Sequence, residues 1–233
     1  LNITGGNDLS KYSMGLSYTE QKGIIGKPVE PDYKRYNARM NSDHVIIKNG
    51  NLNVLKVGEN ITYSYSEQSG INIGDMWSND IRNLLHTSPF LPNKDADGNY
   101  HYAIPWETRE ANPIGLMDYV GGQNITKSHW LQADVYAEIQ PIKGLTFKTN
   151  FGYQMTASSW RSFVPVYKLS TQNFSNESQV TQGSSSGNQF LWENTLNYVV
   201  HLGKNNIDAL LGQSIEKDGM GESVGATNIN SIF

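Results

Sequence analysis

The sequence predicts an all-β chain, an antiparallel up-and-down meander, and three observations carry that prediction. Apolar and polar residues alternate with period two in seven segments, the connections between segments run short, long, short, long, and no 18-residue apolar run offers a transmembrane helix. In an extended chain successive side chains point to opposite faces, so sustained alternation makes a strand with one apolar and one wet side.

The first segment sets Tyr12, Met14, Leu16 and Tyr18 against Ser13, Gly15 and Ser17. The second sets Tyr36, Ala38 and Met40 against Arg35, Asn37, Arg39 and Asn41. The third runs Leu55, Val57, Glu59, Ile61, Tyr63 and Tyr65 against Lys56, Gly58, Asn60, Thr62 and Ser64. After a long interval, Leu131, Ala133, Val135, Ala137 and Ile139 alternate with Gln132, Asp134, Tyr136 and Glu138. The fifth segment carries Leu145, Phe147, Phe151, Tyr153 and Met155 opposite Lys148, Asn150 and Gln154. The sixth carries Phe190, Trp192, Leu196, Tyr198, Val200 and Leu202 opposite Glu193, Thr195, Asn197 and His201. The seventh carries Ile207, Ala209, Leu211 and Ile215 opposite Asp208, Gly212, Ser214 and Glu216. Taken with their flanking residues these are two-faced strands of roughly 9 to 14 residues, close to the length a tilted strand needs to cross a bilayer.

The short connections are Lys48-Asn49-Gly50-Asn51, Pro141-Ile142-Lys143-Gly144 and Gly203-Lys204-Asn205-Asn206, all rich in residues that accept or fix turn geometry. The long excursions cover about residues 19 to 34, 66 to 128 and 158 to 188, and another begins at Lys217. Small turns at one end and large loops at the other are the rhythm of a membrane barrel wall, and a soluble sandwich has no reason to sort its loops this way. Within 66 to 128 the stretch Asp75 to Thr87 predicts a short helix, with Asp75 as cap and Met76, Ile81, Leu84 and Leu85 as its apolar stripe. The run Gln182-Gly183-Ser184-Ser185-Ser186-Gly187 reads as a flexible loop tip.

Composition narrows the function classes. The formal net charge of the 233-residue chain is -4 with no basic block, which argues against capture of nucleic acid. The absence of cysteine excludes disulfides, thiol catalysis and thiolate metal sites. Gly-x-Ser-x-Gly, Walker and dinucleotide motifs are absent, and His44, His86, His101, His129 and His201 are scattered, so the sequence predicts neither an enzyme nor a cofactor. Asn93, Asp95, Asp97 and Asn99 with Gly98 imitate part of a calcium loop, but the distal Glu is missing and a plain turn is the better reading. The chain opens on Leu1 without a basic or apolar leader and closes on Phe233, which leads to the expectation that it is a piece of a longer protein.

A family resemblance rests on several motifs in order. Gly5-Gly6-Asn7-Asp8 precedes the strand Lys11-Tyr12-Ser13-Met14-Gly15-Leu16-Ser17-Tyr18, and the loop Gln21-Lys22-Gly23-Ile24 follows it. Then come Lys34-Arg35-Tyr36-Asn37-Ala38-Arg39-Met40-Asn41 and Leu55-Lys56-Val57-Gly58-Glu59-Asn60. Through about residue 66 this resembles the early barrel of SusC/RagA-type TonB-dependent outer-membrane transporters. Asp95-Ala96-Asp97-Gly98-Asn99-Tyr100, Ala111-Asn112-Pro113 and Gly144-Leu145-Thr146-Phe147-Lys148 fit the same family more loosely.

The resemblance implies that residues 1–233 are part of a large transmembrane β-barrel in a bacterial outer membrane, without the plug domain, and that 66–128 is an extracellular loop. It implies import of an oligosaccharide or peptide, a SusD-like surface lipoprotein as partner, and TonB acting through the missing plug region. Tyr12, Tyr18, Tyr36, Tyr63, Tyr65, Phe147, Tyr153, Trp192 and Tyr198 lie on the apolar faces, where a barrel carries its interfacial aromatic girdle. Glu59, Asn194 and Gln213 break that face and are expected close to an interface. Trp77, Tyr100, Tyr102, Trp106 and Trp160 sit in the long excursions, placed to stack on sugar or grip peptide, or to pin a loop down. The alternative is a soluble β-sheet module that binds glycan or protein.

Overall fold

In the computed structural model, residues 1–24, 27–74, 79–108, 110–121, 124–219 and 221–230 are described. All seven predicted segments are strands, and they pair antiparallel in chain order. They are β2 (Ser10–Lys22), β3 (Asp32–Asn49), β4 (Leu52–Ser69), β5 (Ile125–Ile142), β6 (Leu145–Val164), β9 (Gln179–Leu202) and β10 (Asn205–Asp218). A further strand, β1 (Asn2–Gly6), precedes them and pairs with β2. Beyond β10, β11 (Glu222–Ile229) pairs with the part of β9 that β10 leaves, so it prolongs the same line after a break around Gly219. The sheet order is β1-β2-β3-β4-β5-β6-β9-β10, and two-residue strands β7 (Tyr167–Lys168) and β8 (Phe174–Ser175) make a separate small ladder.

Three tight hairpins close as expected. Gly50 (φ 57°), Gly144 (φ 88°) and Gly203 (φ 65°) take the left-handed conformation those turns require. At Gly144 a side chain is excluded twice, since a Cβ there would also lie 2.2 Å from the Val199 carbonyl oxygen. The β1–β2 turn is held by Asn7, whose Oδ1 accepts from the Leu9 and Ser10 amides at 2.9 and 2.8 Å.

The strands are longer than the sequence pattern indicated, reaching 18 residues in β3, β4 and β5, 20 in β6 and 24 in β9. Two expectations therefore change. Gln182–Gly187 is not a flexible tip but part of β9, paired on one edge with β6 and on the other with β11. The excursion expected from Lys217 is instead strand β10 followed by β11. Both follow from one cause: the residues of Gln182–Gly187 are polar or glycine on both faces and those of β11 put Val224 and Ile229 on opposite faces, so neither alternates, and backbone pairing needs no apolar period.

The interval between β4 and β5 holds helix α1 (Asp80–His86), helix α2 (Pro113–Leu116) and a π-helical turn, Met117–Gly121. Helix α1 falls within the predicted stretch but starts later. Its cap is Asn79, whose side chain accepts from the Arg82 amide; Asp75 and Met76 lie outside the described residues. This interval packs on the β7–β8 hairpin to form a compact cluster at the loop end of the sheet. The fully buried side chains Met117, Leu169, Asn112 and Ser170 all lie in that cluster.

Candidate functional site

Two surfaces are built for contact, the apolar face of the sheet and the loop cluster above it. Register decides the first. Met14 pairs with Met40, Met40 with Ile61, Ile61 with Ala133, Ala133 with Tyr153 and Tyr153 with Phe190, so one face is apolar across the sheet. All nine girdle residues, Tyr12, Tyr18, Tyr36, Tyr63, Tyr65, Phe147, Tyr153, Trp192 and Tyr198, lie on it. No second sheet covers it among the described residues, and Leu16 and Leu211 are 58% and 71% exposed.

The loop-side margin of this face is sharply drawn. Tyr18, Tyr36 and Tyr65 stand in one paired row with His129, their rings 4.9, 6.2 and 4.9 Å apart in sequence. One step outward the row is Glu20, Lys34, Glu67 and Lys127, alternating in sign. The hydroxyls of Tyr18 and Tyr65 donate across the margin to Glu20 and Glu67 at 2.9 and 3.1 Å. Each tyrosine thus keeps its ring on the apolar side and its hydroxyl on the polar side.

That margin runs obliquely. The tyrosine row continues through His129 and Ala157 to Ser186 on β9, yet the outermost aromatic of β9 on this face is Phe190, four residues further in. Four residues amount to about 13 Å along a strand, against about 14 Å across the three steps from β4 and about 24 Å across the five from β2. A level boundary cutting the sheet on that diagonal means strands tilted by roughly 30 to 45°. On β9 the belt extends from Phe190 to Leu202, about 40 Å along the strand, or roughly 28 to 34 Å of height at that tilt.

Glu59 was expected near an interface, and the register places it six residues inward from Tyr65 instead. Hydrogen bonding answers its polarity. The Ser42 hydroxyl donates to Glu59 Oε1 at 2.5 Å, His44 Nε2 lies 2.8 Å from Ser42 Oγ, and His44 Nδ1 lies 3.0 Å from Ser10 Oγ. Asn194 likewise sits directly between Thr149 and Gln213 in a single polar row.

The opposite face is mostly polar, with Trp130, Leu191, Val199 and Leu210 as its apolar exceptions. Lys56 and Lys148 lie 5.6 and 4.5 Å from the Tyr136 ring centroid, Lys56 reaches Asp43 at 3.4 Å, and the Tyr136 hydroxyl donates to Asp43. The ring can lie flat because its neighbour is Gly58, where a Cβ would come within 2.6 Å of it.

In the loop cluster, Asn112 is the organising residue. Its Oδ1 accepts from the Ile114 and Gly115 amides, both at 3.1 Å, capping α2, while its Nδ2 donates to the Asn93 carbonyl at 2.6 Å. Tyr100 meets Tyr119 edge-on and Tyr119 stacks on Tyr167, each pair 5.5 Å apart. The Tyr100 hydroxyl donates to Asp118 at 3.0 Å; burial first, and then that bond, push its pKa up to about 12. Strand-like bonds tie the intervals together, from the Ala103 amide to the Leu169 carbonyl at 2.9 Å and from the Thr171 amide to the Thr108 carbonyl at 3.0 Å.

The five predicted contact residues fare differently. Tyr100 is engaged inside the cluster, with Gly115 against its ring. Tyr102 is partly exposed, 5.8 Å from the Lys168 ammonium, and Trp106 is 70% exposed. Trp160, expected in a loop, is on strand β6 and lies over Gly183 of β9. Trp77 lies outside the described residues. The Asp95–Asn99 segment is a turn in which Asp95 Oδ1 accepts from the Asp97 and Asn99 amides at 3.0 and 2.9 Å. Among the described residues no group of three or more His, Asp or Glu side chains could hold a metal ion. Missed by sequence reasoning were Tyr119, Tyr167 and Asn112, although Asn112-Pro113 carries a readable signal, a cap followed by proline at the first helical position.

A long-stranded open meander with one uncovered apolar face, an aromatic margin and an oblique belt has the form of a portion of a β-barrel wall. Comparison with known proteins narrows the class. No family model matches the chain. It is 27% identical over 222 residues to TonB-dependent receptor P3 of Formosa agariphila, a match covering 93% of this chain and 21% of that protein. TonB-dependent receptor P39 of the same organism is 25% identical over 173 residues, 74% of this chain and 15% of the relative. The fold matches the RagAB peptide importer in its closed-closed state with a TM-score of 0.78 at 18% identity, covering 99% of this chain and 25% of that one. The open-open state gives 0.79 at 20% identity, with 98% and 24% covered. The resemblance to SusC/RagA-type TonB-dependent transporters stands on these likenesses, and the chain spans about a fifth of the length of the curated relatives it matches.

Proposed function

We propose that this chain forms part of the barrel of an outer-membrane TonB-dependent nutrient importer, which takes up oligosaccharide or peptide with a SusD-like lipoprotein. The observation that carries the reading is the belt: uncovered, bounded by tyrosines, and retreating across the strands at the slope of a tilted barrel wall. Its height of roughly 28 to 34 Å is near the ~25 to 30 Å of apolar thickness that a barrel presents to lipid. In this reading the nine girdle aromatics face lipid, and Arg39, Asp134 and Asn197 point into the lumen toward a plug carried elsewhere in the protein, through which TonB acts. Residues 66–128 lie on the cell exterior, where the lipoprotein and the substrate meet them. No enzymatic step is assigned. The soluble-module alternative has against it the same uncovered face, which in water would be an aggregation surface.

Spin labels in the full-length protein test this. Labels at Leu16, Val135 and Leu211 are expected to be accessible to a lipid-soluble relaxant, and labels at Arg39, Asp134 and Asn197 to a polar one. A label set that mixes within one strand, or a protein recovered outside the outer-membrane fraction, overturns the reading.

A further inference from the structure

Resting on that importer reading, the loop cluster holds a pocket whose lining identifies a class of ligand. It is a cleft of about 550 Å³, between α1, the 110–121 turn and the β7–β8 hairpin, within the size range of small-molecule sites. The side chains around it include five carboxamides, Asn72, Asn83, Asn124, Gln172 and Asn173. At its base is the Asp80 carboxylate, 7% exposed, whose Oδ2 accepts from the Asn72 amide at 2.7 Å. Tyr167, stacked on Tyr119, contributes an aromatic wall.

Each lining type selects against other ligands. A carboxamide presents a donor and an acceptor side by side in one plane, the pattern that adjacent hydroxyl groups match, since every hydroxyl both donates and accepts. A buried carboxylate accepts only, and it asks for O–H or N–H donors in place of the water it has lost. Burial raises the Asp80 pKa, so its charge is costly unless hydrogen-bond donors satisfy it. The Arg82 guanidinium and His86 share the lining with the Asp80 and Glu110 carboxyl groups, so groups of both signs are present and no single-sign field is set up to hold an anion or an ammonium group. An extended peptide is bound through main-chain ladders to a free strand edge, with apolar side-chain pockets beside it; here Ala111, Pro113, Leu116 and Val120 share the lining with a larger polar part.

We infer that this pocket is a saccharide subsite, in which Asp80 and the carboxamides bind the hydroxyls of a neutral sugar residue against the face of Tyr167. It lies in the interval assigned to the cell exterior, where an oligosaccharide meets the importer before entering the lumen.

The test uses the full-length protein in detergent, with maltohexaose, cellohexaose, laminarihexaose and a Gly-Ser hexapeptide as probes in saturation-transfer NMR and titration. At least one hexasaccharide is expected to bind, with Asp80→Asn and Gln172→Ala each weakening it tenfold or more. Gln172 is exposed and its amide can be removed without touching the packed cluster, so loss of folding at Asp80 does not obscure the result. No binding of any hexasaccharide, binding unchanged in both variants, or pocket-dependent binding of the hexapeptide instead overturns the inference. Outer-membrane fractionation of the same variants separates the two claims. A protein outside that membrane that still binds sugar through Asp80 sinks the importer and leaves the pocket, whereas a membrane-inserted importer indifferent to these substitutions does the reverse.

Discussion

Leu211 on β10 is 71% exposed and Met117 in the loop cluster is wholly buried, although both are large aliphatic side chains of similar hydrophobicity. The difference divides the molecule. In the sheet, long backbone ladders fix the strands, and the apolar side chains touch neighbours along the face but have no second layer over them among the described residues. In the cluster, ladders are short, and the structure depends on a few enclosed side chains and on polar groups such as Asn112 and Ser170 that are satisfied internally. On the proposed reading the sheet is completed by a membrane, whereas the cluster is a small conventional core set on its rim.

That contrast can be broken most severely by deletion. Removing residues 88–120 from the full-length protein takes out Met117, Asn112 and Tyr100 yet leaves β4 and β5 with their pairing intact. Uptake and lipoprotein association are expected to be abolished while barrel insertion, read by heat-modifiable gel mobility, is retained. Unchanged uptake would show the cluster to be decoration.

Point substitutions sharpen the comparison. Met117→Ala is expected to destabilise the cluster by about 2 to 5 kcal/mol, as deletion of an enclosed side chain does, with hydrogen exchange rising in 100–121 and 167–173 and not in the strands. A uniform rise across β4 and β5 would mean that sheet and cluster fold as one unit. On the sheet Val135→Arg and Asp134→Arg put the same side chain at adjacent positions on opposite faces. The first is expected to cost about 2 to 4 kcal/mol of folding into lipid and the second much less, measured by denaturant titration in bilayers. Equal costs would remove the assignment of an outer and an inner face.

The two regions also differ in how legible they were. Wherever one strand face must be apolar, the alternation appears in the sequence, so Leu55 to Tyr65 or Phe190 to Leu202 could be placed and oriented from pattern alone. Where neither face needs to be apolar, the signal vanishes. Gln182–Gly187 read as a flexible tip because its strand is held only by pairing with β6 and β11, and β1 was missed because five residues with Ile3 and two glycines show no period. In the cluster, legibility fails for another reason. The cap at Asn112 is local and readable, but the stacking of Tyr119 on Tyr167 joins residues 48 apart through no repeating pattern, so their meeting could not be inferred. Trp160 shows the same limit from the other side: a residue near the predicted end of its strand was assigned to a loop because the strand outlasts its apolar pattern.

The smallest expected effect concerns pH and bears only on the cluster. In the folded cluster Tyr100 titrates near 12, raised from about 10 by burial and by its bond to Asp118. Between those values the native cluster holds a proton that the unfolded segment has released, so its stability is fully present below pH 10 and falls as pH rises toward 12. Ionisation would also set a phenolate beside the Asp118 carboxylate, 3.0 Å away, where like charges repel. The cluster is therefore expected to become protease-sensitive over pH 10 to 12 in the native sequence, while the strands stay protected. Tyr100→Phe removes the titrating group and keeps the ring against Gly115 and Tyr119, so it should flatten that dependence and delete one late phenolate from the absorbance titration. If the variant and the native protein open at the same pH, the Tyr100–Asp118 pair is not what ties the cluster's integrity to pH. Opening of the strands in the same window would show that sheet and cluster do not stand independently.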